Sequence, residues 1–255
     1  MKNRAFFGKA DPEFVAMNIL RDLEVDITKP IDLYSIADKL NIVVKKQRIK
    51  NGILGACKAI GLKRLVVLDP DICHEGRERF TMAHEIGHIM LRHGFHCCKT
   101  EDFYWNSRRP SMEQDANLFA AEILMPTLSL AEIARKKDIT LELVEKLAAE
   151  RNVSVTAMAI KMVKLSPDPT VLIYFEDGRV KWSSYSRDNY FEVTSGITSD
   201  MLDNIYKDKQ YDASEFLDRV HHEATCWAEA KYYGTYNFYL CILRLDNVER
   251  DYEDE

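Results

Sequence analysis

At 255 residues and 29.6 kDa the chain has room for one or two domains. Its 46% hydrophobic and 30% charged residues exclude wholesale disorder. The formal charge of -6 is concentrated at the end, where residues 246–255 hold six acids and one Arg, so the body is near neutral and carries no basic stripe of the kind a nucleic-acid binder needs.

No apolar run approaches the ~20 residues that span a bilayer. The opening segment, M-K-N-R-A-F-F-G-K-A-D, lacks the apolar stretch of a signal peptide. The six cysteines include no Cys-x-x-Cys pair. Reduced thiols in a cytoplasmic protein is the expectation.

In chain order, Asp11-Pro12 caps a helix with Phe14, Val15, Met17, Leu20 and Leu23 at helical spacing. A second helix follows Pro30. Strands are expected over 41–49, 53–60 and 64–68, as a small meander turned at Asn51-Gly52 and Gly61. The second of these is either an edge open to an extended ligand or an ordinary core strand. Residues 76–93 have helical periodicity, 94–111 are irregular, and 112–125 form a strong helix stopped by Pro126. Three short helices end at Leu165. The last two have a helix-turn-helix outline, but the first turn after Ser154 offers Val155, Thr156 and Met158 where a DNA-reading helix presents polar donors. Beyond Pro169, an Asp177-Gly178 turn marks a hairpin over 171–184, a short helix is expected at 199–206, and 235–245 reads as a strand. The aromatic residues of this region read as core. The fold class expected is α+β, with an N-terminal domain over 1–128, a helical segment over 129–167 and a small α+β domain over 168–255 ending in the acidic tail.

Positions 84–88 read His84-Glu85-Ile86-Gly87-His88 inside a helix, the H-E-x-x-H pattern. Residues four apart share one helical face, so two imidazoles can converge on one ion. Zn²⁺ favours such donors and, in a catalytic site, needs a third protein ligand and an open position. Glu85, one residue round from His84, is placed to act as general base. Similar ligands also accept Mn²⁺ or Co²⁺. Leu91 and Gly94 stand where a metzincin has Gly and His, so that pattern is excluded. The helix beginning at Met112 offers Glu113, Asp115 and Glu122. Glu113 shares its face with Ala116, Asn117, Ala120 and Leu124, small enough on average to pack closely on Gly87, and is the geometric choice for third ligand. His93, Tyr104 and Arg108 are candidates to stabilise an oxyanion. Adjacent Cys97 and Cys98 read as incidental thiols.

The pairing of R-F-T-M-A-H-E-I-G-H-I-M-L (79–91) with E-Q-D-A-N-L-F-A-A-E-I-L-M-P (113–126) resembles the ImmA/IrrE family of zinc metallopeptidases, over about residues 10–165. The resemblance implies a zincin-like N-terminal domain, with His84, His88 and Glu113 as metal ligands and Glu85 as catalytic base. It also implies Zn²⁺ as cofactor, and as protein substrate a helix-turn-helix repressor whose cleavage relieves repression. A non-catalytic antirepressor or toxin–antitoxin component that binds its regulator is the alternative. Neither membrane association nor DNA binding is expected.

Overall fold

The structure, a computed structural model, describes residues 11–49, 52–72, 74–94, 96–99, 111–186, 191–206 and 209–246. Of residues 96–99 only the backbone is described. The fold is α+β, divided into two compact units: 1–126 with 149–154, and 127–148 with 155–255. Most of the helical segment expected at 129–167 therefore falls with the C-terminal sheet, and only 149–154 with the N-terminal unit.

In the first unit, helices α1 (Pro12–Asp22) and α2 (Leu33–Lys39) start at Asp11 and Asp32. Both carboxylates accept a first-turn N–H and satisfy a donor that the helix itself cannot. Strands β1 (Ile42–Lys46), β2 (Ile53–Ile60), β3 (Lys63–Leu68) and β4 (His96–Lys99) form one sheet in the order β1-β3-β2-β4. This is not the meander expected from the turns. β1 runs parallel to β3, and only β2 and β3 form a hairpin. The buried Asp69 helps explain the difference. Its carboxylate accepts from the backbone N–H of Ile49 at 2.6 Å and of Asp71 at 2.9 Å, which ties the crossing segment after β1 to the end of β3. β2 is interior, between β3 and β4, so the reading of it as an edge does not hold.

Helix α3 (Glu75–Met90) packs on β2 and β3, and α4 (Met112–Leu124) packs on α3 and α1. Residues 81–89 of α3 are buried without exception, so this helix is covered on every side. Ser111 and Gln114 close a reciprocal capping box at the start of α4. The close approach of the two helices depends on Gly87, where a Cβ would lie 2.9 Å from the ring of Phe119. A large ring fills the gap above Gly87, rather than the small residues Ala116 and Ala120 that spacing suggested.

The second unit holds α5 (Thr127–Lys136), most of α6 (Leu141–Arg151), α7 (Val155–Leu165) and an antiparallel five-stranded sheet. Its strands are β5 (Thr170–Glu176), β6 (Arg179–Tyr185), β8 (Gln210–Asp212), β10 (Thr225–Tyr233) and β11 (Phe238–Asp246), in the order β6-β5-β11-β10-β8. β7 (Glu192–Val193) and β9 (Leu217–Asp218) pair separately. The turn between β5 and β6 has Asp177 and Gly178 both at positive φ, as an Asp-Gly hairpin requires. One face of the sheet buries Val171, Ile173, Phe175, Cys241 and Leu243. Leu172, Leu240 and Ile242 on the other face are buried as well, so β5 and β11 are covered on both sides and read as nearly continuous apolar runs. Of the aromatic residues, Tyr174 stacks on Trp182 at 4.8 Å and on Phe238 at 5.0 Å. Helix α7 packs against α5, β5 and β6, with Met158, Ala159, Met162 and Val163 buried. Among the described residues no single helix is long and apolar enough to cross a membrane.

Candidate metal centre

The centre is built on two helices. α3 carries His84, Glu85 and His88, all fully buried. α4 brings Glu113 from its first turn, with the side chain 29% exposed. His84 Nε2 and His88 Nε2 are 3.0 Å apart. Glu113 Oε2 lies 3.1 Å from the first and 3.3 Å from the second. These atoms make a nearly equilateral triangle of two nitrogens and one oxygen.

That triangle matches what a small divalent cation requires. Bonds of about 2.0–2.1 Å in a tetrahedral zinc site place neighbouring donors about 3.3 Å apart. Two imidazoles and a carboxylate are a donor set suited to zinc, and the three residues are grouped closely enough to hold one ion.

The far nitrogens of both imidazoles also have partners, which sequence reasoning missed. His84 Nδ1 lies 2.8 Å from Asn117 Oδ1. An amide oxygen can only accept, so the proton sits on Nδ1 and the Nε2 lone pair points into the triangle. The signal was present, because Asn117 shares the helical face of Glu113 one turn on. His88 Nδ1 lies 2.9 Å from His93 Nδ1. His93 therefore sits on the side of His88 away from the triangle, which is not where a donor to an oxyanion would stand. Tyr104 and Arg108, the other two candidates for that role, lie outside the described residues, as do the side chains of Cys97 and Cys98 and the acidic tail beyond Asp246.

Glu85 faces the sheet. A Cβ on Gly55 of β2 would lie 2.8 Å from Glu85 Oε1 and 2.7 Å from Thr81 Cγ2. The pairing of β2 with β4 shifts register between Ile53 and Gly55, so the strand is irregular at the point where the carboxylate approaches it. Glu113 is the most exposed of the four side chains, the other three being fully buried.

The model of peptidase family M78, described as an IrrE N-terminal-like domain, matches residues 37–163 and so takes in the whole centre. No match is found among curated protein sequences. A solved structure described as a Mycobacterium tuberculosis transcriptional regulator is similar in fold, with a TM-score of 0.53 and 10% identity, over 92% of this chain and 76% of that one.

Proposed function

The chain belongs to the ImmA/IrrE family of metallopeptidases through its IrrE N-terminal-like domain, and from that premise we propose that it is a zinc-dependent endopeptidase. The observation that carries the reading is the triangle of His84 Nε2, His88 Nε2 and Glu113 Oε2, with edges of 3.0, 3.1 and 3.3 Å. In this reading His84, His88 and Glu113 hold Zn²⁺ and Glu85 is the catalytic residue.

A bound Zn²⁺ would supply a Lewis acid for a peptide carbonyl and lower the pKa of a coordinated water toward neutrality. The chain's own residues do the rest. Asn117 holds the ring of His84 in the tautomer that presents Nε2. Glu85, fully buried, takes the proton of the attacking water and later delivers it to the departing amine. A purely structural metal site has no use for a carboxylate at that position.

The substrate proposed is a protein, and within that class a helix-turn-helix transcriptional repressor. Support comes from the resemblance of the two motifs at 79–91 and 113–126. A cytoplasmic location suits the chain, since Cys226 and Cys241 are buried thiols rather than a disulfide. The test is Glu85→Gln in protein loaded with zinc and incubated with candidate regulators. Metal content should persist while cleavage disappears. Cleavage retained by the variant, or regulator release without cleavage by the parent, would reject the catalytic reading.

A further inference from the structure

Helix α3 ends in a Schellman motif. Arg92 N–H donates to Ile89 O at 3.2 Å, His93 N–H donates to His88 O at 2.9 Å, and Arg92 takes the left-handed conformation with φ of 60°. In this cap the residue two past the C-cap Leu91 folds back onto the third residue from the helix end, a contact that is frequently apolar. Here the two residues are His93 and His88. Their rings meet edge to face with centroids 5.0 Å apart, and their Nδ1 atoms are 2.9 Å apart. The His93 side chain is only 6% exposed, and its Nε2 lies 3.8 Å from Asp115 Oδ2 on α4.

The chemistry gives the pair a direction. For His88 Nε2 to offer a lone pair to a cation, its Nδ1 must carry the proton and donate it. His93 Nδ1 then accepts, so the proton of His93 sits on Nε2, toward Asp115. An imidazole that ligates a metal is generally fixed by such a partner on its other nitrogen. A histidine that merely terminated the helix would have no need of burial between a second imidazole and a carboxylate.

We propose that His93, seated on His88 by the cap of α3 and faced by Asp115, is a positioning residue that keeps the His88 Nε2 lone pair directed into the donor triangle. The proposal rests on the metal reading of that triangle. It assigns His84 and His88 unlike supports, a neutral amide for the first and an imidazole with a carboxylate behind it for the second.

The test measures zinc affinity of the full chain by competition with a chromophoric chelator, together with melting temperatures with and without zinc. The proteins are the parent, His88→Ala, His93→Ala, His93→Asn and Asp115→Asn. Asparagine places an acceptor near the position of the His93 Nδ1 atom. His93→Ala is expected to weaken zinc binding by about 10- to 100-fold, and His93→Asn to recover much of the loss. Asp115→Asn should fall between the parent and His93→Ala. The rise in melting temperature on adding zinc should shrink in step, because that rise depends on affinity. A purely structural role would lower both melting temperatures equally and leave affinity unchanged, which would overturn the proposal while the metal reading stood. If the parent itself binds no zinc, the metal reading fails and takes this proposal with it. Should His93→Ala not fold, the Asn variants at 93 and 115 decide the matter by the same comparison.

Discussion

The carboxylate of Glu85 rests against the one residue of β2 that has no side chain, Gly55. The contact joins the proposed base on α3 to the sheet, and there is no room in it for a methyl group. Gly55→Ala should therefore destabilise the first unit by about 1–3 kcal/mol through overpacking. It should also displace the Glu85 carboxylate and lower cleavage while zinc content is kept. Thermal melts, metal analysis and a cleavage assay on the same preparation read the three effects. A variant with parental activity would show that Glu85 does not depend on this contact.

Asn117 holds His84 from behind. Asn117→Ala removes the acceptor of the Nδ1 proton and should weaken zinc binding by about 10- to 100-fold. Asn117→Asp keeps an acceptor of the same shape and should bind zinc closer to the parent. Equal affinity in all three proteins would sink the assignment.

Gly87 and Phe119 set the spacing of α3 and α4. Gly87→Ala should cost about 1–3 kcal/mol, because the clash outweighs the gain in helix propensity of about 1 kcal/mol. Combining it with Phe119→Leu should cost less than the sum of the two single changes, since the smaller side chain makes room. Additive effects in a double-mutant cycle would argue that the two residues do not interact.

The cap of α3 carries a cost that can be removed. Arg92 is exposed and left-handed, where a residue with a Cβ is strained and glycine is not. Arg92→Gly should stabilise the protein by about 0.5–1 kcal/mol, a rise of roughly 1–4 °C in melting temperature. A fall in melting temperature would show that the arginine side chain contributes more than its conformation costs.

The second unit offers a pH test away from the metal centre. Burial raises the pKa of Glu145, but hydrogen bonds from Lys231 and Tyr233 outweigh it and hold the group below its ordinary value of 4.5. A depressed carboxylate contributes stability above the unfolded pKa and loses it as pH falls through the folded value. Glu145→Gln should thus be less stable than the parent at pH 7, by about 1 kcal/mol or less for so exposed an ion pair. The difference should vanish well below pH 4.5. Denaturant titrations of both proteins across that range provide the measurement, and a difference that grows on acidification would refute it.

What could be read along the chain was whatever depends on neighbours in sequence. Helical spacing put His84 and His88 on one face and Glu113 at the start of the next helix, and the Asp177-Gly178 turn announced its hairpin. These follow from short-range geometry, which the order of residues specifies directly. Three-dimensional contact decided the remainder. β1 lies beside β3 because the carboxylate of Asp69 anchors the crossing segment, and a turn signal at Asn51-Gly52 carries no information about that bond. Phe119, not a small residue, fills the space above Gly87, since the fit depends on how two helices meet. Asn117 and His93 stand behind the two imidazoles because α4 and the end of α3 bring them there. The cap that seats His93 was hidden in the sequence because its left-handed position is held by Arg92, where glycine would have marked it.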